Sequence, residues 1–172
     1  MLHDRSERGA SLIELLVVVA LIATAAGFAV PRLLTALESY RINSAARQVS
    51  AQIRAARLAA VTANRVMLVR FNCPGPGMYR VVEFTGNPAI DTAADRCAAP
   101  WPDTDPVALP NVDGSPAYLP DTMAFGVTQD LRVSTTGQFS PVSGGMPALI
   151  EVTNGSRVGQ ITVSAAGRVQ MQ

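Results

Sequence analysis

The polar and apolar positions divide the chain into stretches of different period. Residues 1–9 (MLHDRSERG) are short, polar and charged, and a long apolar run follows, ASLIELLVVVALIATAAGFAVP. From Leu15 to Pro31 there are 17 residues without a charge. As a helix this covers about 25 Å, the short end of what spans a bilayer. Past Pro31 the pattern stays helical but becomes one-sided. Ile42, Ala46, Val49, Ile53, Ala56 and Ala60 recur at steps of 4, 3, 4, 3 and 4, which marks one helical face. Arg41, Arg47, Arg54 and Arg57 fall largely on the others. Asn64 suits a left-handed C-cap. A helix from Ala10 to Ala63 would run about 80 Å, with a bend near Gly27–Pro31.

The period then shifts to that of strands. Val66–Asn72 (VMLVRFN) and Met78–Thr85 (MYRVVEFT) read as two strands joined by Cys73-Pro74-Gly75-Pro76-Gly77. Residues Gly86–Asp121 hold seven prolines and six aspartates, a composition that suits an irregular, solvated loop. Short strands are expected again at Leu131–Thr135, Ala148–Thr153, Val158–Ser164 and Arg168–Met171, with turn signals such as Thr136-Gly137, Asn154-Gly155 and Ala166-Gly167 between them. The fold class that follows is α+β, a long N-terminal helix packed on an antiparallel β-rich globular head. Its expected parts are a short polar segment at 1–9, a transmembrane helix at 10–31 and an amphipathic half of the same helix at 32–64. A β-rich head at 65–172 completes it, with the irregular loop at 86–121.

One residue does not fit an ordinary membrane anchor. Glu14 sits inside the apolar run. A carboxylate at the bilayer centre costs about 2.5–3.5 kcal/mol and usually has a partner. Near a helix start the position is shallow and the dipole favours negative charge. A free α-amino group is a suitable partner, and cleavage after Gly9 would create one on Ala10, one helical turn from Glu14.

Gly9-Ala10-Ser11-Leu12-Ile13-Glu14 resembles the prepilin peptidase site of type IV pilins and type II secretion pseudopilins. The resemblance implies cleavage after Gly9, N-methylation of the new terminus at Ala10, and Glu14 as the carboxylate that docks each incoming subunit. It also implies that 1–9 is a leader and that the helix at 10–31 has an assembly role. Pro31 falls where such chains often carry a helix-kinking proline. Ala10 departs from the usual Phe of the family. A secretory signal peptide cut at Ala23-Thr24-Ala25 is the competing reading, but it leaves Glu14 in the apolar core and the helical pattern beyond the site unexplained. The helix end Gln52–Phe71 and the final Ile161–Gln170 resemble the GspH/FimT type of minor pilin and pseudopilin.

Arg5 and Arg8 before the apolar run favour a cytoplasmic N-terminus. The resemblance then implies a single-pass protein of the bacterial inner membrane with a periplasmic head, later taken into a periplasmic or surface filament. The partners implied are other pilins or pseudopilins, the prepilin peptidase and an inner-membrane assembly platform. Two cysteines, Cys73 and Cys97, lie beyond the membrane segment, where a disulfide is permitted; two buried thiols are the alternative.

The net charge of +1 points to no acidic partner, yet it is unevenly spread. Arg32–Arg80 carries eight Arg and one acid, whereas Val81–Asp130 carries eight acids and one Arg. These two blocks either pair or form separate solvated faces. All 14 basic residues are arginine, which reads as base composition.

Nothing suggests catalysis or a cofactor. The only histidine is His3, in the leader, so a mature chain has no imidazole for a triad, a general base or a zinc ligand. No phosphate loop or dinucleotide fingerprint appears, and Asp103, Asp105 and Asp113 lack the spacing of a calcium loop. Some FimT-like pilins bind DNA through arginines clustered near the C-terminus. Here Arg168 stands there alone, joined only if Arg132 and Arg157 approach it in space. The helix arginines are expected to line a filament interior or pair with acids. The leading reading is a non-enzymatic minor pseudopilin that supports assembly and protein export. The alternatives are a minor pilin that primes a type IV pilus and a DNA-binding minor pilin in natural transformation.

Overall fold

A computed structural model describes residues 11–98 and 113–171. Two compact units result, one up to Tyr40 and one from Arg41 to Gln172. Helix α1 (Leu12–Ala63) contributes to both. Its described residues up to Tyr40 are almost all exposed, and the first buried position on it is Ile42.

In the second unit Ala45, Ala46, Val49, Ile53, Ala56 and Ala60 form the buried face of α1. Four of these six are alanines, so the helix backbone comes close to the strands it covers. At Gly159 a Cβ would lie 2.8 Å from the Cγ2 of Ile42. The helix ends in a Schellman motif. Asn64 takes a left-handed φ of 53°, Arg65 N donates to Ala60 O and Asn64 N to Val61 O. The chain enters the sheet almost at once.

Among the described residues nine strands follow: β1 (Met67–Phe71), β2 (Met78–Glu83), β3 (Ala117–Tyr118), β4 (Ala124–Phe125), β5 (Leu131–Val133), β6 (Phe139–Pro141), β7 (Ala148–Thr153), β8 (Val158–Val163) and β9 (Val169–Met171). They form two antiparallel sheets, β3-β2-β1-β5-β6 and β4-β7-β8-β9. Alternate residues turn inward: Met67, Val69 and Phe71 on β1, Leu131 and Val133 on β5, Ile150 and Val152 on β7, Ile161 and Val163 on β8. Phe71, Tyr79 and Phe125 meet in the core with ring centroids 5.2–6.4 Å apart. The expected strands are present but one or two residues shorter at several ends. β4 and β6 are additions, a two-residue and a three-residue edge strand, the latter ending in a proline.

The stretch 86–121 departs from its expectation as an irregular, solvated loop. Its described part holds α2 (Pro88–Asp91), a 3₁₀ turn at Ala94–Cys97 and strand β3. Asn87 caps α2 through Ala89 N (3.0 Å) and Pro88 takes the first helical position, a pairing that favours helix starts. Strand β3 extends the edge of the first sheet, while α2 and the 3₁₀ turn lie on its outer face, where Leu68 and Val82 are buried without belonging to the main core. Arg80, on the same face of β2, donates to Gly114 O (2.7 Å) and Cys97 O (3.0 Å). Arg96, 1% exposed, forms a bidentate pair with Asp113 and also donates to Glu83 O (3.0 Å). Asp113 accepts Glu83 N (2.7 Å), and Asp91 accepts Thr85 N, Thr85 Oγ1 and Gly86 N. Two of the six aspartates of this stretch are therefore structural, because each one closes a backbone turn or neutralises an arginine. A disulfide joins Cys73 to Cys97 with 5.6 Å between the Cα atoms. It closes a 24-residue separation, for which chain entropy gives about 3 kcal/mol of stabilisation.

Two tests follow from this packing, both on the full chain in detergent micelles. Asp113→Ala leaves the Arg96 guanidinium buried without its carboxylate, and urea unfolding should show a loss of about 3–5 kcal/mol. The pair Arg96→Met with Asp113→Leu should cost much less. Burial pushes the Tyr79 hydroxyl up from 10.0 to about 12. The folded state keeps the proton that the unfolded chain gives up, so this contribution is complete below pH 10 and fades as pH rises towards 12. Over that window wild-type stability should fall by roughly 2–3 kcal/mol more than that of Tyr79→Phe. The Tyr79 hydroxyl has no hydrogen-bond partner among the described residues, so the substitution itself should leave stability near neutral pH unchanged or slightly higher.

Candidate functional site

Gly9 and Ala10 lie outside the described residues. α1 begins with Leu15 N donating to Ser11 O (3.1 Å), which puts Glu14 in its first turn. There the uncompensated backbone N–H groups make a negative charge favourable. Among the described residues Glu14 has no hydrogen-bond or ion-pair partner, and its neighbours are exposed aliphatics, Leu12, Ile13, Leu15 and Leu16.

The apolar run continues as α1. An 18-residue window of it has a mean hydropathy of 2.5 with no part buried. This helix is long and apolar enough to cross a membrane. Its one hydroxyl between Leu15 and Pro31, on Thr24, donates to Leu21 O (2.9 Å), so that polar group is satisfied within the helix itself. Beyond it, Thr35 donates to Arg32 O and Ser39 to Thr35 O. Pro31 lies inside α1, where a proline removes one backbone hydrogen bond. An exposed apolar surface of this kind is expected to be covered by lipid or by protein.

The head carries the remaining sequence candidates. Cys73 and Cys97 tie the β1–β2 turn to the 3₁₀ turn. The three arginines weighed for DNA lie on different elements. Arg157 ends the β7–β8 turn and Arg168 follows β8, so about 17 Å of strand separates them. Arg132 stands on β5 of the other sheet, over the ring of Phe84 at 5.4 Å. Of the helix arginines, Arg54 and Arg57 donate to Val169 O (3.3 Å) and Gly167 O (3.5 Å). They anchor the last hairpin, and their partners are carbonyls rather than acids. Between the basic and acidic blocks, Arg65 pairs with Glu83 (2.7 Å) and Arg70 with Asp130 (3.5 Å), so the blocks do pair in part.

The sequence does not single out Arg80, Arg96 or Phe84, and it brings up Asp113 only as a calcium ligand that lacks the spacing for that role. The signal available for Arg80 was an arginine within a run otherwise fit for a strand, MYRVVEF, since a charge at such a position needs a partner when covered.

Residues 4–30 match the family model described as the prokaryotic N-terminal methylation motif. No curated protein and no solved structure matches the chain. The matched stretch includes Gly9, Ala10 and Glu14 and ends one residue short of Pro31, so the N-terminus carries a type IV pilin and pseudopilin signal.

Proposed function

We propose that this chain is a pilin-like assembly subunit of the pseudopilin kind, working in a type II secretion filament that supports protein export. The observation that carries the reading is Glu14. It is a carboxylate without a partner among the described residues, in the first turn of a helix whose apolar N-terminal part is exposed, within the matched methylation motif.

In this reading the peptidase cuts after Gly9 and the new α-amino group on Ala10 is methylated. The apolar helix holds the subunit in the inner membrane with its head in the periplasm. When the subunit moves into a filament, Glu14 meets the terminal amine of a neighbour. Bringing a carboxylate and an ammonium together in a medium of low polarity is favourable only if each neutralises the other. That makes the pair selective: a subunit without the acid leaves the neighbour's amine uncompensated. The apolar surface from Leu12 to Val30 passes from lipid to protein at little cost, since both are apolar. The head does no chemistry in this scheme and serves as the part presented to other subunits and to cargo.

Processing is checked by N-terminal mass analysis of the protein isolated from its own cell, which should show loss of Met1–Gly9 and gain of one methyl group. Glu14→Ala should still be cut, yet its incorporation into filaments should drop by about 1–2 orders of magnitude, the loss of an ion pair out of water. Equal incorporation of the two proteins would sink the docking role. Deleting the gene should block export of secreted enzymes while leaving pilus-driven motility intact; the opposite result would move the protein to a type IV pilus.

A further inference from the structure

A cavity of about 280 Å³ lies on the outer face of the first sheet, beside α2. Its walls are mostly apolar, with Leu68, Phe84, Pro88, Pro141 and Val142 among the lining residues, and four charged side chains reach it. Three of the four are already committed. Asp91 is held by Thr85 and Gly86. Asp130 accepts Phe71 N (2.9 Å) and faces Arg70 Nε at 3.5 Å. Arg70 also donates to Asp91 O (3.1 Å) and Ala93 O (3.4 Å). The fourth, Arg132, makes one long hydrogen bond from Nε to Ser140 Oγ (3.4 Å) and lies over Phe84. Its two terminal amino groups have no partner among the described residues.

We propose that this cavity binds a peptide segment of a partner protein in which an acidic residue stands beside an aliphatic one. The planar guanidinium of Arg132 is shaped to take a carboxylate through two parallel hydrogen bonds. The ring beneath it fixes the plane of that fork and supplies the apolar floor on which the neighbouring aliphatic side chain rests. The volume suits one or two residues rather than a folded element. A nucleic-acid strand fits less well. Binding to a phosphate backbone grows with the number of phosphates neutralised; among the described residues that line this cavity one cation is uncommitted, and Asp91 and Asp130 line the same cavity and disfavour a polyanion. A single carboxylate needs only that one cation. This proposal is independent of the role given to Glu14.

The test uses the full chain, isotope-labelled in detergent micelles, and two blocked tripeptides, acetyl-Leu-Glu-Leu-amide and acetyl-Leu-Gln-Leu-amide. Binding is followed by the NMR signals of the Arg132 Nε–H and of the Phe84 and Val142 amides. The Glu peptide should shift these signals saturably. The Gln peptide, and the Glu peptide on Arg132→Gln, should each bind roughly tenfold more weakly. Arg132→Lys, which keeps the charge but loses the fork, should fall between. Because Arg132 is exposed, the variants should unfold at the wild-type temperature. Equal binding of the two peptides, or no saturable shift up to about 10 mM, would overturn the proposal. So would a short DNA duplex that moves the same signals in an Arg132-dependent way.

Discussion

The structure depends on how the apolar surface of one helix is shared out. From Ile42 onward α1 buries an alanine-rich stripe against the strands of its own head, and that face supplies a large part of the core. Up to Tyr40 the same helix presents leucine, isoleucine and valine on every side, with nothing in the described chain to cover them. Each large aliphatic side chain kept in water forgoes about 1.5–3 kcal/mol relative to burial. Roughly a dozen of them on one segment outweigh the net stability of an ordinary domain. A chain with this division therefore needs an apolar environment outside itself, and the core of the head draws on no residue of that segment.

Within the head, stability comes from two layers with different chemistry. The inner layer is aliphatic and aromatic and follows from strand alternation. The outer layer is polar, built from Arg80, Arg96, Asp91, Asp113 and one disulfide. Buried ion pairs add little net energy beyond what they cost to desolvate, but losing one partner is expensive. Such a network favours one arrangement of the outer segment over the many others that a proline-rich chain could adopt. The cavity beside Arg132 adjoins α2, whose C-terminal end Arg70 of β1 holds through Asp91 O and Ala93 O.

The sequence made the inner layer legible and the outer layer mostly illegible. The 4-3-4 spacing from Ile42 to Ala60 pointed to the buried face of α1, and Asn64 to its end, because helix packing and capping obey local rules. The longer strands could be read from alternation. The two- and three-residue strands β4 and β6 could not, since so short a run carries no period and its pairing is decided by neighbours distant in sequence. Composition misled at 86–121. Prolines and aspartates usually mean an exposed loop, but Asn87-Pro88 starts a helix and Asp113 finds an arginine 17 residues away. For the N-terminal segment the reverse holds: Glu14 stands out in sequence as the single acid of an apolar run, whereas the described residues offer it no partner.

The Schellman turn at Asn64 has a mechanical consequence. Only three residues, Asn64 to Val66, lie between the last turn of α1 and β1, and β1 is paired on both edges, to β2 and to β5. A pull transmitted down the helix thus arrives at a central strand with no slack to absorb it. Two ladders of hydrogen bonds must give way together before the head can be drawn out. A subunit tugged from its N-terminal end would keep its head folded until both had failed.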